Sequence, residues 1–277
     1  NSELVSKLTE EKERAEQASQ SKTKFLAAAS HDLRQPLHAI GLFLGALELR
    51  TKEPKQQEIV HKIQKSSSAL NSLLDSLLDI SKLDAGIVQV DIKPFKVKRL
   101  FKTLEDEFEP IARENNLRLN FVNSNLTIES DYRILQRIMQ NLIANAIRYT
   151  SNGGVAVGCR NKQGMVLLAV YDTGISIPDE QMENIFHEFH QLHNPERDRS
   201  KGLGLGLAIV KRMSQLLNAP LTLKSEQGRG SMFGILLPKS DARAESSGER
   251  TPIVSKFGLE GKNILIVDDE EEIRESL

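Results

Sequence analysis

The sequence predicts an α+β protein: a two-helix hairpin that dimerises into a four-helix bundle, followed by an α/β sandwich. Three observations predict it. Leu26, Leu33, Ile40 and Leu47 recur every seven residues, with Leu37 and Leu44 between them and small Ser30 one heptad earlier, which makes a coiled-coil-like seam. A second stretch carries Ile63, Leu70, Leu73, Leu77 and Ile80 at a three-four spacing up to Asp84-Ala85-Gly86, where a glycine stop is expected. Beyond Gly86, apolar runs of strand length interleave with helical ones without regular βαβ repeats. That predicts one mixed sheet covered by helices on one face.

Taken in order, residues 1–24 are charged, free of Gly and Pro, and read as a helical connector of coiled-coil type. Residues 25–86 form the hairpin, turning near Thr51-Lys52-Glu53-Pro54. Pro36 lies inside the first helix, where a proline costs about 3 kcal/mol and frees the carbonyl of Asp32, so a local break is expected. One hairpin cannot hide two apolar stripes, but two hairpins packed together can, and a homodimer follows. Residues 87–239 form the second domain. Strands are expected at 87–92, 117–122, 155–160, 165–171, 221–224 and 232–237. Helices are expected around Leu100, Leu104, Phe108 and Ile111, from Asp131 through Ile134, Ile138 and Leu142, and from Gly204. Residues 240–260, rich in Ser, Glu, Arg and Lys, read as a linker.

With 277 residues, 39% hydrophobic and 27% charged, a buried core is affordable. A net charge of -1 points neither to nucleic acid nor to an anionic membrane surface. The single Cys159 excludes an internal disulfide and fits a reducing, cytoplasmic setting. No apolar run is long enough to span a bilayer. The chain begins at Asn1 and stops at Leu277, and we read it as an internal piece of a longer protein.

Five stretches carry chemistry. In Ser30-His31-Asp32-Leu33-Arg34-Gln35-Pro36-Leu37, His31 faces away from the seam, as does His38. A neutral imidazole is a good nucleophile near pH 7, and the adjacent carboxylate can take its ring proton. Asn141, Asn145 and Arg148 share one helix face, and carboxamide oxygens suit Mg²⁺. Asp172-Thr173-Gly174 closes an apolar strand and could accept from an adenine amino group. Phe186 and Phe189 precede a polar stretch with Arg197, Arg199 and Lys201, and could anchor a lid. His187, His190 and His193 do not match His-Glu-x-x-His, so zinc is not expected. Gly202-Leu203-Gly204-Leu205-Gly206 opens an amphipathic helix, where backbone amides can approach phosphates. Leu207 breaks the dinucleotide fingerprint, and the P-loop pattern is absent.

The first stretch resembles the H-box of sensor histidine kinases, the dimeric enzymes of two-component signalling. The other four, in order and spacing, resemble the N, G1, F and G2 boxes of their catalytic domain, an ATPase superfamily shared with gyrase, a heat-shock chaperone and mismatch-repair proteins. The resemblance covers residues 20–239. It implies that His31 is the phosphoacceptor, Asp32 its general base, and ATP with Mg²⁺ the donor. Asn145 is then the Mg²⁺ ligand, with Asn141 and Arg148 at the phosphates and Tyr149 beside them. Asp172 reads the adenine and Gly174 shapes its pocket. Phe189 anchors the lid, Lys201 and Leu203 line the nucleotide, and Gly202, Gly204 and Gly206 free the lid and contact phosphates. Hydrolytic relatives carry Glu where Asn141 stands, which favours transfer to histidine over ATP hydrolysis.

Two positions depart from the pattern. Ser176 replaces the second glycine of Asp-x-Gly-x-Gly; if that position needs φ > 0 or a close backbone approach, serine costs about 1 kcal/mol and weakens ATP binding. Gln35 stands where kinases that also dephosphorylate their receiver often carry Thr or Asn. Residues 261–277, with Ile264-Leu265-Ile266-Val267-Asp268-Asp269, resemble the opening strand of a receiver domain. The expected parent is therefore a hybrid kinase with an upstream sensor outside this chain, passing phosphate to a receiver aspartate, its own or a separate regulator's. Two rivals stand beside this reading. One is a degenerate, non-catalytic scaffold, which Ser176 keeps open, and the other is a water-directed ATPase of the same superfamily.

Overall fold

The computed structural model describes residues 14, 29, 32–51, 53–192 and 204–241. The rest of the 1–24 connector lies outside the described residues, as do Leu26, Ser30, His31, His193, Arg197, Arg199, Lys201, Gly202 and Leu203. So do most of the expected linker and the receiver-like 261–277. The chain divides between Ala85 and Gly86 into two compact units, each described by itself. No described helix is long and apolar enough to cross a membrane.

In the first unit, residues 32–50 form α1 and Pro54–Asp84 form α2. The break expected at Pro36 is not found; the helix runs through it. A proline removes one amide donor, and here buried Leu37 and Leu44 hold the turns that follow. Gln57 Nε2 donates to Thr51 O at 3.0 Å, closing the turn onto α2. Pro54 sits in the first turn of α2, where its missing N–H has no partner to lose. Arg34 pairs with Asp75 at 2.8 Å and Gln64 with Glu48 at 2.9 Å, so the helices run antiparallel.

The hairpin divides its apolar residues in a way the heptad pattern does not show. Leu37, Leu44, Val60, Leu74, Leu78 and Ile80 are buried. Leu33, Ile40, Phe43 and Leu47 on α1, and Ile59, Ile63 and Leu70 on α2, remain exposed. Of the stripe read on α2, Ile63 and Leu70 are exposed, Leu73 and Leu77 are half-buried and Ile80 is buried. Val60, Leu74, Leu78 and Ser81 are buried with it.

In the second unit, β1 (Lys93–Lys96) runs antiparallel to β3 (Thr127–Ser130) as a separate two-stranded ladder. The expectation of one sheet needs that correction, as does the strand expected at 87–92. Those residues join no ladder, and Ile87 and Ile92 are exposed. Alternation alone makes no strand without a neighbour to pair with. Between the two strands lie α3 (Val97–Glu114) and β2 (Arg118–Phe121). The buried stripe of α3 is Val97, Leu100, Phe101, Leu104, Phe108 and Ala112, and Ile111, expected in it, is exposed.

After β3 come α4 (Tyr132–Arg148), β4 (Gly154–Lys162), β5 (Met165–Asp172), α5 (Gly206–Leu216), β6 (Leu221–Glu226) and β7 (Gly230–Pro238). The five-stranded sheet has the order β2-β4-β5-β7-β6, with β2 parallel to β4 and every other pair antiparallel. It is mixed, as expected. Val155, Val157, Val166, Leu168 and Val170 fill the helix-side face with Ile235 and Leu237. Phe121 meets Phe101 of α3 edge-on on that same side. Asp172, the last residue of β5, shares the face of Val170 and opens toward the helices.

Candidate functional site

Asp131 caps α4: its Oδ1 accepts from the amides of Arg133 and Ile134 at 2.9 and 3.0 Å, and its Oδ2 from the amide of Asp91 at 2.8 Å. Eight apolar side chains of α4 are buried, which fixes the rotation of the helix and leaves Asn141 and Asn145 on its remaining face. Asn141 Nδ2 donates to Arg137 O at 2.8 Å, so its Oδ1 points outward from the helix. Arg148 ends the helix exposed, and Tyr149 caps it, its amide donating to Asn145 O.

Two glycines join this helix to the other motifs. A Cβ on Gly206, the first residue of α5, would stand 3.0 Å from Asn141 Oδ1 and 3.7 Å from Asn145 Nδ2. A Cβ on Gly174 would stand 2.3 Å from Tyr149 O, and the next amide, Ile175, donates to that same oxygen at 3.1 Å. Only glycine permits the approach at position 174; at 206 a Cβ would need the Asn141 side chain to shift by a few tenths of an ångström. The start of α5 and the turn after β5 therefore both pack against α4, at neighbouring turns.

Asp172 is buried among backbone amides. Its Oδ1 accepts from Gly174 N at 2.9 Å and Ser231 N at 3.3 Å. Burial raises its pKa above the ordinary aspartate value, and these two bonds offset part of the rise. The loop that follows is held by Thr173, whose Oγ1 accepts from Gly154 N at 3.1 Å.

Phe189 takes a left-handed backbone (φ 60°) and is 63% exposed. Its amide donates to Gly204 O at 3.1 Å. Glu188 pairs with Arg212 of α5, and Lys211 lies over the Phe186 ring at 6.0 Å. Helix α5 begins at Gly206 rather than Gly204, and Leu205 before it makes no side-chain cap. Amides at a helix start suit an anion.

The structure thus brings together Asn141, Asn145, Tyr149, Asp172, Gly174, Gly204 and Gly206, with Arg148 and Phe189 at the margin. Asp32 lies exposed on α1 in the other unit. His31, Lys201, Gly202 and Leu203 lie outside the described residues. Among the described residues no group of three His, Cys, Asp or Glu could hold a metal. Sequence reasoning missed Glu188, Arg212, Ser225 and the role of Thr173, whose contacts lie 19 or more residues away.

Ser176 needs a correction. Its backbone is not in the left-handed region, so the expected strain is absent. Its Oγ donates to Glu226 O at 2.7 Å and accepts from Gly228 N at 3.0 Å.

The chemistry of these groups suits an adenine nucleotide: a buried carboxylate that accepts hydrogen bonds, two close backbone approaches to α4, and a helix start. A carboxamide beside that helix start suits Mg²⁺, which takes a few oxygen ligands from protein and the rest from phosphate and water.

Comparison with known proteins agrees with this geometry. Residues 21–86 match the His Kinase A (phospho-acceptor) domain. Residues 130–241 match the Histidine kinase-, DNA gyrase B-, and HSP90-like ATPase family. An uncharacterized sensor-like histidine kinase of Rhizobium meliloti is 36% identical over 88% of this chain and 48% of its own length. The sensor histidine kinase RcsC of Escherichia coli is 32% identical over 83% of this chain and 25% of its own. The autoinducer 2 sensor kinase/phosphatase LuxQ of Vibrio vulnificus is 30% identical over 92% and 31%. The chain therefore spans less than half the length of these relatives. Full-length ShkA, solved in complex with AMPPNP, superposes with a TM-score of 0.66 at 28% identity, over 80% of this chain and 47% of that one.

Proposed function

Because this chain belongs to the histidine kinases, carrying both their phospho-acceptor and ATPase domains, we propose that it phosphorylates its own His31 from ATP and passes the phosphoryl group to a receiver aspartate. The observation that carries this is the packing of Gly206 against Asn141 and Asn145, with Gly174 against Tyr149. It joins three of the motifs along one helix.

Asp172 accepts the adenine amino group through the oxygen not engaged by Gly174 and Ser231. Gly206 and the first turn of α5 hold phosphate oxygens, with Asn141 and Arg148 beside them. Lys201, Gly202 and Leu203 complete that side, and Phe189 anchors the lid. Asn145 offers its carboxamide oxygen to Mg²⁺. Bound ATP-Mg²⁺ supplies a transferable γ-phosphoryl group with part of its charge neutralised. His31 bonds the γ-phosphorus through a ring nitrogen as the bridging oxygen departs with ADP, and Asp32 takes the ring proton. Arg148 offsets charge developing on the transferred group.

The exposed stripe of the hairpin supports a homodimer built as a four-helix bundle. The apolar run Ile264-Leu265-Ile266-Val267 ending in Asp268-Asp269 supports a hybrid parent with its own receiver, and an upstream sensor would act through residues 1–24. A cytoplasmic setting follows from the use of ATP.

Incubation with γ-labelled ATP and Mg²⁺, beside His31→Ala, tests the reading. Acid-labile label that vanishes in the variant is expected. Label that survives His31→Ala, or free phosphate released at an undiminished rate by that variant, would refute it.

A further inference from the structure

The loop that leaves β5 is bound from behind by the hairpin of β6 and β7. Ser231 N donates to Asp172 Oδ1 at 3.3 Å, at the first turn of β7. Ile177 N donates to Ser225 Oγ at 2.8 Å, at the end of β6. Ser225 Oγ in turn reaches Gly230 O at 3.2 Å and Ser231 Oγ at 3.1 Å, tying the two strands where they part. Between these attachments stands Ser176. Its hydroxyl donates to Glu226 O at 2.7 Å and accepts from Gly228 N at 3.0 Å. It uses both of its hydrogen-bonding functions on one four-residue turn, which Arg229 N closes by donating to Glu226 O at 2.9 Å.

A glycine at this position would make neither bond. The loop would then be held by Asp172 at one end and Ile177 at the other, with Thr173 attached to Gly154 and with Gly174 and Ile175 attached to the C-terminal end of α4. The hydroxyl adds a second anchor on the opposite side. It fixes the loop between α4 and the β6–β7 turn, so that the carboxylate of Asp172 is presented in one place before any ligand arrives.

We propose that Ser176 is a positioning residue for nucleotide binding: by docking the β6–β7 turn onto the Asp172 loop it pre-organises the adenine pocket and strengthens ATP affinity. The proposal rests on the reading of Asp172 as the adenine acceptor. In this reading Ser176 acts at the adenine end of the site, through Asp172, so it acts on affinity and not on the rate at saturation. This reverses the expectation from sequence, by which serine here weakens binding.

The experiment uses the full chain with Ser176→Gly, Ser176→Thr and Asp172→Asn. Affinity is read by calorimetric titration with AMPPNP and Mg²⁺, and rate by autophosphorylation across a range of ATP concentrations. Loss of pre-organisation in Ser176→Gly is expected to weaken AMPPNP binding about threefold to tenfold. It should raise KM for ATP by the same factor and leave the saturating rate unchanged. Ser176→Thr, which keeps the hydroxyl, should recover most of the affinity. If Asp172→Asn abolishes binding while Ser176→Gly binds as tightly as the parent, the proposal fails and the nucleotide reading stands. An unchanged KM with a lowered saturating rate in Ser176→Gly overturns it equally. If Asp172→Asn binds AMPPNP normally, the reading of Asp172 fails and the proposal falls with it.

Discussion

Replacing Ile40 and Leu47 together by alanine tests the outer stripe of the hairpin. In the single chain these side chains are 41% and 48% exposed. Complete burial of such a residue contributes about 1.5–3 kcal/mol, so covering the remaining half contributes about 1 kcal/mol each. In a two-fold dimer every contact occurs twice. The double variant therefore loses about 4 kcal/mol of association energy, about a thousandfold in Kd. The half of each side chain already buried against its own hairpin weakens folding instead, so far-UV circular dichroism must show helical content retained. Sedimentation equilibrium over a wide concentration range measures the association. The parent is expected as a dimer at micromolar concentration and the variant as a monomer. A parent that sediments as a monomer, or a variant with the parent's Kd, refutes the reasoning.

A carboxyl whose pKa rises on folding binds more protons folded than unfolded. Stability therefore falls with rising pH between the ordinary aspartate value near 3.8 and the raised one, and the cost persists above it. Asp172→Asn keeps an acceptor for the Gly174 and Ser231 amides and removes that cost. Thermal melts from about pH 6 to 8 should show it as stable as the parent or more so, with the gap closing as pH falls toward the ordinary carboxylate range. An Asp172→Asn protein that melts well below the parent at neutral pH contradicts the assignment of burial as the dominant cause. Asp131→Ala removes the cap of α4 and the acceptor for Asp91. Cap loss alone costs about 0.5–2 kcal/mol. A fall of about 4–8 °C in the melting temperature is expected, with Asp131→Asn, which retains the Oδ1 cap, falling less. Equal falls for the two variants would mean that the Asp91 bond, not the cap, carries the effect.

What could be read from the residues alone, and what could not, follows from the range of the interactions involved. The helices α1 and α2 are local periodicities seven residues long, and they read directly. Which of two adjacent stripes faces inward is not local. It depends on how the partner helix lies, so the burial of Val60, Leu74 and Leu78 and the exposure of Ile63 and Leu70 could not be read from spacing. The strand at 93–96 contains Pro94, which argues against a strand, yet its only ladder partner is β3, so one face of its backbone needs no donor. Residues 87–92 alternate well and find no neighbour. The motifs of the nucleotide site could be read because each is a short run of chemically unusual residues. Ser176 was misread because a missing glycine is visible in sequence, while its two partners lie 50 and 52 residues downstream.

Asp131 has a consequence beyond the stability of one helix. A single carboxylate joins the amide of Asp91, in the segment entering this unit, to the first turn of α4. A helix is a stiff rod, and at 1.5 Å per residue Asn141 lies about 15 Å along it from that joint. The segment by which the chain enters this unit is therefore fastened to the same helix that carries the asparagines, at its opposite end from Arg148.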